Sequence, residues 1–413
     1  MAGRRACVIL GGGVAAYGAA EALRVAGFDG PVTLVSAEPV VPYDRTTLSK
    51  AFLQGQKTVE EILFKPAEHY QGLGIELRLG QRASAVDLER RELALEPGER
   101  LPFDTLLIAT GAEPVRLRLP GFDLPGVRYL RSLADAQALR EDLSRAERVL
   151  VVGAGFIGAE VAASARTLGK AVTVVDPLPV PLAGPLGEEV GAILAEVHRR
   201  HGVDLRMGQK VLELRGHRWV EEAALESGER IACDLVVVGV GVRPAVALFQ
   251  GSGLQIENGI LVDEHCATGV PGVYAAGDVA NWRHPAIGRR LRVEHFDNAA
   301  QQGAAAARAI AGDPQPYAPV PYFWSDQYDL NLQYAGYPGP WDRVVLRGDP
   351  AAPSVTAFYL RQGVVEAVVT INRPRELRAG RRLVEARARV DPAVLADPAT
   401  DLRALAQAAR PAG

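Results

Sequence analysis

The sequence predicts an α/β protein: two βαβ units with parallel sheets, then a C-terminal part of alternating strands closed by a helical segment. Three observations carry this. The chain opens on an apolar strand, a glycine turn and an alanine-rich helix, "RACVILGGGVAAYGAAEALRVAG". The same order returns in "RVLVVGAGFIGAEVAASARTLG". From about Val320 the texture changes to aromatics and alternation, as in "SVTAFYLRQGVVEAVVTI".

Each element has a local reason. "RACVILGG" is a continuous apolar run, as expected of a strand buried on both faces. The helix after it stops at Gly27, and "PVTLVSAE" reads as the second strand. The second unit repeats this, its helix "FIGAEVAASARTLG" leading to the strand "AVTVVD". Between the units, "LPFDTLLIATGAEPVRLRLPG" is a strand ending at Ala109, Thr110 and Gly111, then a Pro/Gly-rich link. "CDLVVVGVGVRPAVAL" echoes that pattern and marks where the second unit closes. "GVYAAGDVANW" is a short strand running into Gly277 and Asp278, with a helix-like segment expected beyond. No low-complexity linker interrupts the chain, so closely packed domains are expected.

Bulk properties narrow the function. A chain of 413 residues is too long for one ordinary core, so two or three domains are expected. It is 48% hydrophobic and 23% charged, the profile of a soluble globular protein. A net charge of −3 gives no global electrostatic case for nucleic acid or membrane. No apolar run reaches the length of a membrane span. The apolar run in "MAGRRACVILGGG" leads straight into the glycine turn and reads as a first strand rather than a targeting segment. A cytoplasmic location is expected. Cys7, Cys233 and Cys266 are widely spaced and form no C-x-x-C, so neither a redox dithiol nor a metal site is signalled.

Both glycine turns carry the G-x-G-x-x-G/A spacing: Gly11, Gly13 and Ala16, then Gly153, Gly155 and Gly158. The first glycine allows a tight turn, the second lets a pyrophosphate approach the backbone, and the third packs helix on strand. The phosphates then meet free N–H groups at the helix N-terminus. An acid ends each following strand, Glu38 and Asp176, placed for a ribose diol. No cation stands just after Asp176, which favours NADH over NADPH. Two dinucleotides in one chain point to a nicotinamide giving hydride to a flavin. Asp278 is then a third matching part, for the rest of the flavin cofactor. Glu160, two residues beyond Gly158, reads on its own as a helix former near a positive helix end, worth about 0.3–1 kcal/mol.

In order, the motifs GxGxxA, "PYDRTTLSKAFL", "IATGAEP", "YLRSLADAQAL", "GAGFIGAEVAA", "YAAGDVA", "HFDNAAQQG" and "VPYFWSDQYDLNLQYAG" resemble the single-chain FAD- and NADH-dependent ferredoxin reductases that serve cytochromes P450 and aromatic-ring dioxygenases. "FWSDQYDLNLQ" is the most specific of them, and the resemblance runs to "LADPATDL". It implies a glutathione-reductase-like fold with two Rossmann-type domains and a C-terminal α/β domain. The FAD domain would be split between residues 1–112 and 244–319, the NAD domain would span 113–243, and residues 320–413 would cover the flavin.

The resemblance also implies roles. The first glycine motif, with Ala15 inside it, and Glu38 would bind the adenylate half of FAD. Arg45 and Lys50 would approach the flavin, Lys50 near its reactive edge. Ala83, Ala109, Thr110 and Gly111, with Arg131, Gly277 and Asp278, would hold other parts of FAD. His295 and Phe296 would lie beside the flavin, and Trp324 would border the nicotinamide pocket. Residues Gly153 to Gly158, including Phe156 and Ile157, and Asp176 would bind NADH, with the Gly239–Gly241 turn beside the nicotinamide. Glu160 would face Lys50 across the domain boundary and orient the carboxamide of NADH. The cofactors implied are FAD, with NADH as co-substrate. The partner implied is an acidic [2Fe–2S] ferredoxin, and the protein is expected to be a monomer.

Three departures from the family pattern stand out. Thr46-Thr47 replace the usual Pro-Pro, which would loosen the loop carrying Lys50. Phe296 stands where relatives often have tryptophan, and Asp176 replaces a commoner glutamate. The arginine-rich segment "NRPRELRAGRRLVEARAR" from Asn372 is either a solvated helix face or a surface that steers an acidic partner. A rubredoxin reductase or NADH oxidase remains an alternative, as does an apoptosis-inducing-factor-like binding protein. A flavin disulfide reductase would need a cysteine in "PYDRTTLSKAF", and there is none.

Overall fold

The computed structural model describes residues 5–409. The longer helices are, in chain order, α1 (Val14–Val25), α2 (Leu133–Arg145), α3 (Phe156–Thr167), α4 (Ala183–Arg200), α5 (Phe296–Ala311), α6 (Pro374–Glu385) and α7 (Leu402–Ala408). The chain packs as two compact units. Among the described residues, the first comprises 5–46, 58–113 and 242–319; the second comprises 47–57, 114–241 and 320–409.

The first unit holds a parallel sheet in the order Val273–Ala275, Thr105–Ile108, Cys7–Leu10, Val32–Ser36, Ile75–Leu79. The strand before the first glycine turn is the central one, fully buried as its apolar run requires. Helix α1 is alanine-rich because α5 lies against it. A Cβ on Gly303 of α5 would stand 2.1 Å from the Ala15 carbonyl oxygen, and one on Gly18 would stand 2.6 Å from that of Ala300. Only small residues allow so close a crossing.

The second unit repeats the plan. Its parallel sheet runs Asp204–Met207, Ala171–Asp176, Arg148–Val152, Leu235–Val238, Val127–Tyr129, again with the strand before the glycine turn at the centre. The same unit carries a five-stranded antiparallel sheet in the order Tyr322–Gln327, Leu330–Gly336, Val364–Ile371, Ser354–Arg361, Arg343–Asp349. Helix α4 packs on it through Leu186, Val190, Leu194 and Val197, against Phe323, Leu332 and Tyr359. Helix α6 lies on the sheet too, and a Cβ on Gly380 would meet Val368 at 2.7 Å.

One expectation changes. The segment after Asp278 is a single 3₁₀ turn (Gly277–Val279) and then a strand (Ala280–Arg283), not a helix. Val279, Ala280 and Trp282 are fully buried there, so the segment's apolar residues serve a sheet. Residues 47–57 pack within the second unit, where Leu53 joins the core formed by Leu139, Leu143 and Val161.

Candidate active site

The first glycine turn behaves as its spacing requires. Gly11 has φ +141°, and a Cβ there would lie 2.1 Å from the Ala109 carbonyl oxygen. Gly13 has open space where a Cβ would be, and Ala16 is completely buried. The turn opens onto a cavity of about 490 Å³ lined by Gly11, Gly12, Glu38, Arg45, Arg82, Ala83 and Thr110. Both Glu38 oxygens are engaged: the Tyr43 hydroxyl donates to Oε2 at 2.7 Å, and the Arg45 guanidinium forms a short ion pair with Oε1. Arg45 also donates to the Tyr43 hydroxyl at 2.8 Å. Arg45, expected to approach the flavin, lines this cavity beside the strand-end acid. The side chain of Thr110 donates to the Ala245 carbonyl at 3.0 Å, fixing the turn after Ala109 beside Gly111. Gly277, with φ +80°, donates its N–H to the buried side chain of Gln302 at 2.9 Å, which sets the bend at Asp278. His295 stands at the N-cap position of α5 without a side-chain capping bond, and Phe296 opens the helix with its ring 5.9 Å from that of Phe64.

The second turn uses the same geometry. Gly153 has φ +102°, Gly155 is nearly open, and a Cβ on Gly158 would lie 1.9 Å from the Gly153 carbonyl oxygen. The cavity here, about 640 Å³, is lined by Gly153, Gly155, Asp176, Gly239 and Gly241 and by an apolar set including Leu117, Leu119, Leu178 and Val211. Leu119, Leu178 and Val240 are exposed, which suits a flat ring laid against them. Phe156 turns to the Phe323 ring at 4.7 Å, while Ile157 stays exposed. Asp176 is buried, and backbone holds both its oxygens: Ala154 N–H donates at 2.6 Å and Leu178 N–H at 2.8 Å. The acid reads first as the fastener of its own turn, with its remaining lone pairs facing the cavity.

The third feature is an ion pair. Lys50 Nζ donates to Glu160 Oε2 at 2.8 Å, with Glu160 almost wholly buried. Both members lie in the second unit. Ser49 donates to the same oxygen at 2.5 Å, and Ser325 donates to Oε1 at 2.8 Å. A buried carboxylate needs such partners, because desolvation otherwise outweighs the Coulombic gain. The loop carrying Lys50 is tied down by Ser164, which donates to the Ser49 carbonyl at 2.6 Å and accepts from Gln54 at 3.0 Å. Thr46 donates its N–H and its hydroxyl to Asp44 at 2.9 and 2.6 Å, bonds a proline could not make.

Trp324 and Arg131 stand apart from this pair. Trp324 precedes Ser325 on one strand, and successive side chains point to opposite faces. Trp324 therefore turns away from Glu160 and stacks near Tyr322, ring centroids 6.1 Å apart. Arg131 lies at the start of α2, where Ser132 and Asp135 form a capping box. The sequence reading missed Ser49, Ser325, Tyr43 and Gln302. All four lie inside motifs already singled out, so their partners, not their positions, were hidden.

The arginine segment resolves into two groups. Arg373, Arg381 and Arg387 pair with Glu376, Glu385 and Glu366. Arg375, Arg378 and Arg382 of α6 join Arg403 of α7 around a cavity of about 480 Å³, and among the described residues none of the four meets an acid. Arg347, itself buried, donates to the carbonyls of Asp397, Pro398 and Thr400 and so anchors the segment that brings α7 alongside.

Among the described residues no helix is long and apolar enough to cross a membrane. Residues 5–303 match the pyridine nucleotide-disulphide oxidoreductase family, and residues 322–406 match the reductase C-terminal domain. The chain is 41% identical to the 5,5′-dehydrodivanillate O-demethylase ferredoxin reductase subunit of Sphingobium sp., over 97% of this chain and 98% of that protein. It is 34% identical to putidaredoxin reductase CamA of Pseudomonas putida, over 98% and 97%. The fold superposes on putidaredoxin reductase in its covalent complex with putidaredoxin, TM-score 0.95 at 34% identity, covering 98% and 99% of the two chains. The ferredoxin reductase of the CYP199A2 system from Rhodopseudomonas palustris gives TM-score 0.94 at 35% identity, covering 97% and 100%. Two glycine turns on twin parallel sheets, joined to an antiparallel C-terminal sheet, are thus a shared inheritance: the chain belongs to the pyridine nucleotide-disulphide oxidoreductase family, among the ferredoxin reductases that carry the reductase C-terminal domain.

Proposed function

We propose that this protein is an FAD-dependent NADH:ferredoxin reductase, passing electrons to a [2Fe–2S] ferredoxin that serves a cytochrome P450 or a ring-hydroxylating oxygenase. The observation that carries the reading is the presence of two separate glycine-turn cavities, each with a buried or paired acid at the strand end. The first cavity fits the adenylate and pyrophosphate of FAD. Gly13 leaves the backbone open to a phosphate, and Arg45 and Arg82 supply positive charge beside it. The second, apolar cavity fits NADH. Lys210 is the one cation lining it, and it follows Gln209, whose N–H donates to the Asp176 carbonyl at 3.1 Å. The proposed division assigns residues 1–112 and 244–319 to FAD, 113–243 to NADH and 320–413 to the flavin's cover.

A flavin accepts two electrons as a hydride and gives them up singly, the conversion a nicotinamide donor and an iron–sulfur acceptor require. In this reading Lys50 presents an ammonium towards the flavin, and Glu160 holds it in place and orients the carboxamide. Because Ser49, Ser325 and Lys50 already engage Glu160, it acts through position and charge rather than by carrying a proton. The four unpaired arginines of α6 and α7 are the proposed docking surface for the acidic ferredoxin.

Anaerobic stopped-flow absorbance tests the reading. NADH should bleach the flavin rapidly, and an oxidised [2Fe–2S] ferredoxin should restore the colour. Bleaching without reoxidation by ferredoxin would move the acceptor elsewhere. No flavin absorbance after reconstitution with FAD would end the proposal.

A further inference from the structure

The hydrogen bonds that reach Glu160 do not stop at Ser325. Ser325 Oγ accepts from Gln327 Nε2 at 3.1 Å. Gln327 Oε1 lies 2.8 Å from His198 Nε2 on α4, and His198 Nδ1 lies 3.3 Å from the Tyr328 hydroxyl. Ser325, Gln327 and His198 are all buried. The line therefore runs from Lys50 through one carboxylate, a hydroxyl, an amide and an imidazole to a phenol.

Its direction follows from chemistry. A carboxylate paired with an ammonium accepts and cannot donate. The Ser325 proton is committed to it, so Ser325 accepts from Gln327, whose amide must place N towards Ser325 and O towards His198. The imidazole must then carry its proton on Nε2, leaving Nδ1 to accept from Tyr328. Every donor points to Glu160. Burial favours the neutral ring this needs, pushing His198 down to about 4. Tyr328 holds its end at a conformational cost: it sits in the two-residue turn between Gln327 and Leu330 with φ +57°, a region disfavoured for a bulky residue. The His201 ring, stacked on it at 3.6 Å, braces it there. Aligned hydrogen bonds polarise one another, so such a line acts as a unit.

We propose that Gln327, His198 and Tyr328 are positioning residues for the Lys50–Glu160 pair, acting through Ser325 as one aligned line of donors that fixes the Glu160 carboxylate. Its bearing on the flavin rests on the reading that Lys50 faces that cofactor; the line itself does not.

The test uses the full-length protein with ¹⁵N-labelled histidine, with and without FAD, each variant first shown to unfold cooperatively on heating. His198 should be the Nε2–H tautomer in the unaltered protein. Glu160→Gln replaces an obligate acceptor with a group that can donate, so the line loses its direction. The His198 nitrogens should then shift towards the other tautomer, while His217 and His265, outside the line, stay fixed. In a Ser325→Ala background the same Glu160→Gln change should no longer reach His198. Unmoved His198 signals in Glu160→Gln would overturn the proposal. In the FAD-loaded protein, Gln327→Glu keeps the volume but gives Ser325 a competing acceptor. It should move the flavin reduction equilibrium about tenfold, near 30 mV for a two-electron couple. Coupled His198 signals with an unmoved potential would keep the line and remove the flavin from its end.

Discussion

The two glycine turns share a backbone and differ in how each secures its acid. In the first unit Glu38 is held by side chains, the Tyr43 hydroxyl and the Arg45 guanidinium, in a cavity whose lining also includes Arg82 and Glu113. In the second, Asp176 is held by two backbone N–H groups, in a cavity lined mostly by leucine, valine and proline. A side-chain partnership can be redirected towards a ligand at little cost to the fold. A backbone partnership is part of the fold. The first acid therefore belongs mainly to binding, and the second belongs equally to the architecture of its turn.

The largest expected effect separates the glycines within one turn. Gly11→Ala places a Cβ 2.1 Å from a carbonyl oxygen at φ +141°, so it should cost more than about 3 kcal/mol and abolish soluble folded protein. Gly13→Ala meets nothing and should fold with an unchanged melting temperature yet lose FAD. Equal behaviour of the two would erase the distinction between turn and cradle. Next in size, Lys50→Ala should slow flavin reduction by NADH about a hundredfold by stopped-flow, of the order expected when one preorganised charge is lost. FAD should stay bound.

A smaller contrast tests the acids. Asp176→Ala strands two backbone donors and should cost about 1–3 kcal/mol in thermal or denaturant unfolding. Glu38→Gln should cost about 1 kcal/mol or less in stability and appear instead as faster FAD loss. Acid should weaken the second unit through His198. Its folded value is about 4 against an ordinary 6.5, because burial disfavours the charged ring. Above pH 6.5 both states are neutral and nothing is lost. As pH falls from 6.5 to 4 only the unfolded chain takes the proton, so stability declines across that window, by on the order of 3 kcal/mol at most. His198→Gln should flatten that limb in melting temperature measured against pH. The subtlest expectation concerns partner choice. Arg378→Glu with Arg382→Glu should weaken ferredoxin reduction and spare ferricyanide reduction, while Arg381→Glu, already tied to Glu385, should do less.

The glycine turns were legible because their constraints are local: a positive φ, a close approach and a small third residue occupy six consecutive positions. The pairing of Lys50 with Glu160 was legible only through the family resemblance, since 110 residues separate them. What escaped was tertiary. Arg45 finds its acid seven residues back across a bend, Ser325 finds Glu160 from 165 residues away, and Leu53 carries its loop into another core. The segment after Asp278 was misjudged because buried apolar residues in a short run fit a strand as well as a helix. The two threonines looked like lost rigidity, yet Thr46 replaces a locked ring with two hydrogen bonds.

Arg347 carries a practical corollary for engineering. Its guanidinium is sealed inside the protein with carbonyls of residues 397, 398 and 400 as acceptors. Cutting the chain before that segment would strip three carbonyl acceptors from a buried cation and leave it leaning on the Glu376 carboxylate at 3.3 Å. Retargeting this reductase to another electron carrier is therefore better done by recolouring the arginine face in place than by trimming or exchanging its end.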